Sequence, residues 1–99
     1  MKIFNGLKEL LSAFNDIPDS GWISVLEDFS TKENVEKISY YIAETEEEQF
    51  DLEDNYEDFL EAPTFKDIVI NKREHNPNVS LEDIAGAVIY YLEKDDFED

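Results

Sequence analysis

Val79-Ser80-Leu81-Glu82-Asp83-Ile84-Ala85-Gly86-Ala87-Val88-Ile89-Tyr90-Tyr91-Leu92 is the stretch that decides the fold. Ser80 with Asp83 three residues on forms a capping box in its Asp variant, and Val79 and Ile84 stand at the two positions of a hydrophobic staple. Leu81, Ile84, Ala85, Val88 and Leu92 then fall on one stripe of a helix over 80–94, a stripe that other elements must cover. Gly86 inside that helix costs about 1 kcal/mol relative to Ala, which a close packing contact would explain.

Working back from this helix, Asn76-Pro77-Asn78 is a break. Before it, Thr64 with Pro63 ahead and Asp67 three residues on predicts an N-cap, so a helix is expected over 64–75 with Phe65, Ile68 and Val69 on its apolar face. Trp22-Ile23-Ser24-Val25-Leu26 predicts a short strand. Residues 37–43 read as a second strand from the alternation of Ile38, Tyr40 and Ile42, although Val35, Ile38 and Ile42 also fit a helix. Ile3, Leu7, Leu10, Leu11 and Phe14 predict an amphipathic helix over 3–14, ended by the turn formers Asn15 to Gly21. The expected fold is one α+β domain spanning 1–99: a small antiparallel sheet packed on one side against about three helices, in the order α-β-β-(β)-α-α. The end, Asp95-Asp96-Phe97-Glu98-Asp99, reads as an acidic tail that frays unless Phe97 docks. In Tyr40-Tyr41 and Tyr90-Tyr91, one ring of each pair is expected in the core and its neighbour in water.

Charge dominates the composition. Twenty-six acids face eight bases, a formal net charge of −18, while 41% of residues are apolar and 13% aromatic. Such a chain can build a core, so disorder is not the expectation. Nucleic acid and anionic membranes are disfavoured as direct partners because their affinity rests on Lys and Arg. A basic protein is the expected partner. The absence of cysteine excludes disulfides and thiolate metal sites and suits a reducing cytoplasm. Met1-Lys2-Ile3-Phe4-Asn5-Gly6 does not open an apolar signal region, and no stretch approaches the roughly 20 apolar residues of a membrane span.

Residues 44–61 differ from the rest. They carry Glu44, Glu46, Glu47, Glu48, Asp51, Glu53, Asp54, Glu57, Asp58 and Glu61, and no Lys or Arg occurs between Lys37 and Lys66. Repulsion favours an open loop there, but Phe50, Leu52, Tyr56, Phe59 and Leu60 punctuate the run and predict that part of it packs, as an edge strand near 56–60. Two functional readings compete: a solvated loop that keeps the protein soluble, and a docking surface. Solubility needs a net charge of only about 2–8 in a small domain, so the excess favours docking.

Residues for catalysis are scarce. His75 is the single histidine, at the end of a predicted helix where the dipole favours it. Residues 44–61 hold no glycine and so cannot form an EF-hand loop. Gly6, Gly21 and Gly86 are too scattered for a phosphate cradle. No cofactor or metal is expected, and no nucleophile stands beside a base, so an enzyme acting through Asp and Glu alone is the weakest reading.

Asp67-Ile68-Val69 with Asn71, Pro77-Asn78-Val79-Ser80-Leu81-Glu82, Ala87, Tyr90-Tyr91 and Asp95-Asp96-Phe97, together with Gly21-Trp22-Ile23, resemble small bacterial immunity proteins of contact-dependent growth inhibition and related polymorphic toxin systems. The likeness is clearest over 64–97 and does not extend over 44–61. It implies a protein that binds the C-terminal toxin domain of an effector delivered by a neighbouring cell, commonly a nuclease with a basic substrate surface. The expected contact surface is Glu46, Glu47, Glu48, Asp51, Glu53, Asp54, Tyr56, Glu57 and Asp58, on a cytoplasmic protein that is monomeric when free. The alternative is a nucleic-acid mimic from a phage or mobile element that blocks a DNA-binding defence protein.

Overall fold

The computed structural model describes residues 1–95. Its elements are β1 (Lys2–Asn5), α1 (Leu7–Ser12), a 3-10 turn (Phe14–Asp16), β2 (Trp22–Val25), α2 (Lys32–Lys37), β3 (Ser39–Ile42), α3 (Glu46–Asn55), β4 (Glu57–Glu61), α4 (Ala62–His75) and α5 (Leu81–Lys94). The protein is a small α+β domain whose four strands form one antiparallel sheet in the order β1-β3-β2-β4. Among the described residues no helix is long and apolar enough to cross a membrane.

Pairing fixes which way each helix must lie. β1 and β2 both run antiparallel to β3, so they are parallel to each other; β3 and β4 are likewise parallel, with β2 between them. The crossovers β1-α1-β2 and β3-α3-β4 therefore step the same way along the sheet from strands of opposite direction. Right-handed crossovers then place α1 and α3 on opposite faces. Burial agrees. Leu7 and Leu10 of α1 belong to the main core with Ile23, Val25, Tyr40, Ile42, Phe65, Ile84 and Val88. Leu52 of α3 is fully buried but stands apart from that cluster. Ser24, on the face opposite Ile23 and Val25, is 1% exposed, so this face too is covered. The one-sided covering expected from the sequence is thus corrected: α1, α2, α4 and α5 form one layer, and α3 lies alone on the other face.

The capping prediction at α5 holds. The Ser80 hydroxyl accepts the Asp83 amide at 3.1 Å, and Ile84, Ala85, Ala87 and Val88 are buried while Leu81 and Leu92 pack at the margin. At Gly86 an added Cβ would meet only the flexible end of the Lys32 side chain of α2, not the rigid packing contact expected. In β4 a bulge opposite Ile23 and Ser24 breaks the alternation. An extra residue at a bulge lets two successive side chains share a face, and Phe59 and Leu60 are both buried. Phe59 meets the rings of Tyr40 and Phe29. β4 is an edge strand, as expected near 56–60.

Other boundaries differ from the sequence reading. The predicted helix over 3–14 begins only at Leu7, because residues 2–5 pair with β3. Gly6 makes the turn between them with φ of 95°, a backbone state that favours glycine, and its amide donates to the Ile38 carbonyl at 3.0 Å. α4 starts two residues earlier than Thr64, with Pro63 inside its first turn, where a missing N–H breaks no helical bond. Thr64 is therefore not a cap. At 35–42 both readings apply, to different residues: Val35 lies in α2, and Ser39–Ile42 form β3. Tyr40 is buried as expected, but Tyr41 is half-buried against Tyr56 rather than in water, and Tyr90 and Tyr91 are both half-buried. Beyond Asp95, the tail reading falls outside the described residues.

Candidate functional site

The acidic run does not form an open loop. Thr45 caps α3, its hydroxyl accepting the Glu48 amide at 3.2 Å, and Glu46, Glu47 and Glu48 fill the first turn, where carboxylates oppose the positive end of the helix dipole. The chain then turns at Tyr56 into β4. Residues 46–61 are thus one continuous helix–strand unit, with α3 on the second face of the sheet and β4 at its edge.

This unit splits the expected contact residues in two. Glu48 and Tyr56 turn towards the scaffold. One Glu48 oxygen accepts the Glu44 amide at 2.9 Å, and the other lies 2.6 Å from the Met1 amino group. Those bonds hold the Glu48 carboxyl below its ordinary pKa, the bond from Met1 contributing most. The Tyr56 ring packs edge-on against Tyr41. Glu46, Glu47, Asp51, Glu53 and Asp54 are exposed on α3, and Glu57 and Asp58 on β4.

Phe50 stands among the exposed set, and the expected contact residues did not include it. At about 100° per residue it lies about 160° around the helix axis from Leu52. Its side chain is 63% exposed while Leu52 is 0%. Glu46, Glu47, Glu53 and Asp54 occupy its i±3 and i±4 positions, the neighbouring places on a helix surface. An aromatic ring ringed by four carboxylates therefore crowns the outer side of α3. The sequence signal was present: Thr45-x-x-Glu48 is a capping pair, and once the helix is drawn from it, Phe50 falls among the acids.

Among the described residues no Lys or Arg pairs with the outward acids of α3 and β4. Among the described residues the ion pairs join Met1 to Glu44 and Glu48, Lys37 to Glu33, and Lys66 to Asp19. Lys66 and Arg73 of α4 also lie over the Phe14 ring, at 5.6 and 5.4 Å. These basic residues thus pin the Phe14–Asp19 segment to α4, in the layer away from α3. The outward acids of α3 make only polar contacts within the helix, Asn55 to Asp51 at 2.8 Å and Gln49 to Glu53 at 3.5 Å.

The His75 ring is held at its own helix end, with Nδ1 2.8 Å from the Asn71 carbonyl oxygen. A carbonyl only accepts, so Nδ1 carries the proton in this bond. Among the described residues no three acids or histidines are grouped to hold a metal ion. What the α3–β4 surface offers chemically is a dense negative field around one apolar anchor.

No curated protein and no solved structure matches the chain. Residues 6–99 match the family described as a domain of unknown function, DUF7716, and the chain belongs to that family.

Proposed function

We propose that the protein is an immunity protein: a cytoplasmic, monomeric binding module that neutralises a basic toxin domain, a nuclease, by docking through α3 and β4. The observation that carries this reading is Phe50, exposed at the centre of four carboxylates that form no ion pair among the described residues. A single exposed apolar residue is ordinary on a protein surface. What supports docking is its setting. A nuclease holds its polyanionic substrate with Lys and Arg, and a negative face speeds encounter with such a surface. An aromatic anchor inside a polar rim is where interface energy concentrates. Exposed helix positions gain little from Phe, which is a weaker helix former than Glu, Lys or Ala.

Capture followed by a growth assay tests the proposal. The protein serves as bait in cells of its source. The expected result is a basic toxin domain that elutes as salt is raised, and whose growth inhibition is relieved when the protein is co-expressed. Capture of a DNA-binding defence protein instead would favour the nucleic-acid mimic. Capture that persists after Glu46, Glu47 and Asp54 are replaced by Gln would contradict docking through α3.

A further inference from the structure

A groove on the other side of β4 has its own chemistry. It is lined by the apolar Phe29, Ile89 and Leu92, by Ser30, and by the acids Asp28, Glu57 and Glu93. The three carboxylates come from three separate places: the segment after β2, the edge strand β4, and the end of α5. Among the described residues no Lys or Arg lines the groove. Asp28 is already oriented, since its Oδ2 accepts from Ser30 Oγ at 2.7 Å and from Asn34 Nδ2 at 3.1 Å. Its volume is about 290 Å³, at the lower edge of the roughly 300–1,000 Å³ of small-molecule sites, which suits one side chain better than a cofactor.

We infer that this groove receives an arginine side chain of a basic protein partner. The inference rests on the reading of the protein as a docking module and adds a second contact to α3. Three carboxylates among apolar lining residues fit a ligand that is apolar along its stem and positive at its tip. A long basic side chain has that form. A metal ion does not, since no three acids are grouped to hold one among the described residues. Arginine fits better than lysine. Its planar guanidinium spreads five donors towards several carboxylates and stacks on an aromatic ring, here Phe29. The pre-set Asp28 lowers the ordering that binding would otherwise require.

Methyl NMR of the whole protein with butylguanidinium chloride tests this, with potassium chloride and 1-butanol as controls for charge alone and stem alone. The expected result is saturable shifts at the Ile89 and Leu92 methyls with butylguanidinium only, weakened at least fivefold by Glu57→Gln with Glu93→Gln. Shifts that match those in potassium chloride, or that survive the double substitution, would overturn the groove assignment. Such a failure leaves the α3 surface to its own test, because Phe50 and its neighbouring acids lie outside the groove.

Discussion

The rings of Tyr41 and Tyr56 meet edge to face, with centroids 4.9 Å apart. Tyr41 lies on the sheet face opposite the main core, and Tyr56 ends α3, so this contact pins the far end of the acidic helix to the sheet. An aromatic pair of this geometry adds about 0.5–1.5 kcal/mol beyond the area it buries. A double-mutant cycle of Tyr41→Ala and Tyr56→Ala, followed by urea denaturation, is expected to return a coupling energy in that range. Strictly additive losses would mean that the rings do not hold α3.

The Tyr40 hydroxyl donates to the Val35 carbonyl, which lies in the last turn of α2, where carbonyls lack helical partners. Burial pushes the Tyr40 phenol well above its ordinary pKa, so it remains a donor. Tyr40→Phe would leave a buried carbonyl unsatisfied and is expected to lower stability by about 1–3 kcal/mol. Thermal or chemical denaturation measures this; no loss would show that water satisfies Val35.

Glu48 gives a pH signature. Its pKa is lowered in the folded protein by its bond from the Met1 amino group and by the Glu44 amide. A lowered carboxyl stabilises the fold fully above its unfolded pKa, and that contribution is lost as pH falls through the folded value. The melting-temperature gap between the wild-type protein and Glu48→Gln is therefore expected to be widest near neutrality and to close as pH falls through the lowered pKa of the folded carboxyl. Repulsion among the unpaired acids also eases in acid, but it does so in both proteins. A gap that stays constant with pH would contradict the pairing.

Which elements were legible follows from how local their causes are. α5 was readable because its cap, Ser80 with Asp83, and its apolar stripe lie within one stretch. The strand at Trp22 carries its own β-branched and aromatic residues. β1 was not readable, since Ile3 and Phe4 become a strand only by pairing with Tyr41 and Tyr40, far along the chain. Their spacing from Leu7 and Leu10 imitates a helix, and the positive φ at Gly6 that separates them leaves no mark except a glycine. α3 was hidden for a different reason. Only Leu52 is fully buried in it, so it has no stripe, and the acids that disguised it as a loop are the same ones that surround Phe50. The acidic segment was therefore legible as a candidate surface, while the exposure of Phe50 and the inward turn of Glu48 and Tyr56 needed the helix to be seen.

Two glycines should respond in opposite directions. A Cβ at Gly6 would lie 3.1 Å from the Glu36 carbonyl oxygen, at a φ of +95°. Gly6→Ala thus combines backbone strain with a backbone clash and is expected to lower stability by at least about 1–2 kcal/mol. At Gly86 the nearest atom, also at 3.1 Å, is Cε near the tip of the Lys32 side chain, which can move aside. Gly86→Ala gains helix propensity and is expected to raise stability by up to about 1 kcal/mol. Denaturation of both variants checks this, and a destabilised Gly86→Ala would show that Lys32 is fixed over α5.

In the proposed function α3 binds a basic protein through its charges and through Phe50. Affinity for the captured toxin domain, measured at two salt concentrations, tests it most directly. With Glu46, Glu47 and Asp54 replaced by Gln, binding should weaken and its salt dependence should flatten, because fewer screened charges remain. With Phe50→Ala, binding should weaken by about thirtyfold, the roughly 2 kcal/mol of an interface hot spot, while the salt dependence stays as in the wild-type protein. Unchanged affinity and unchanged salt dependence in both variants would contradict the account.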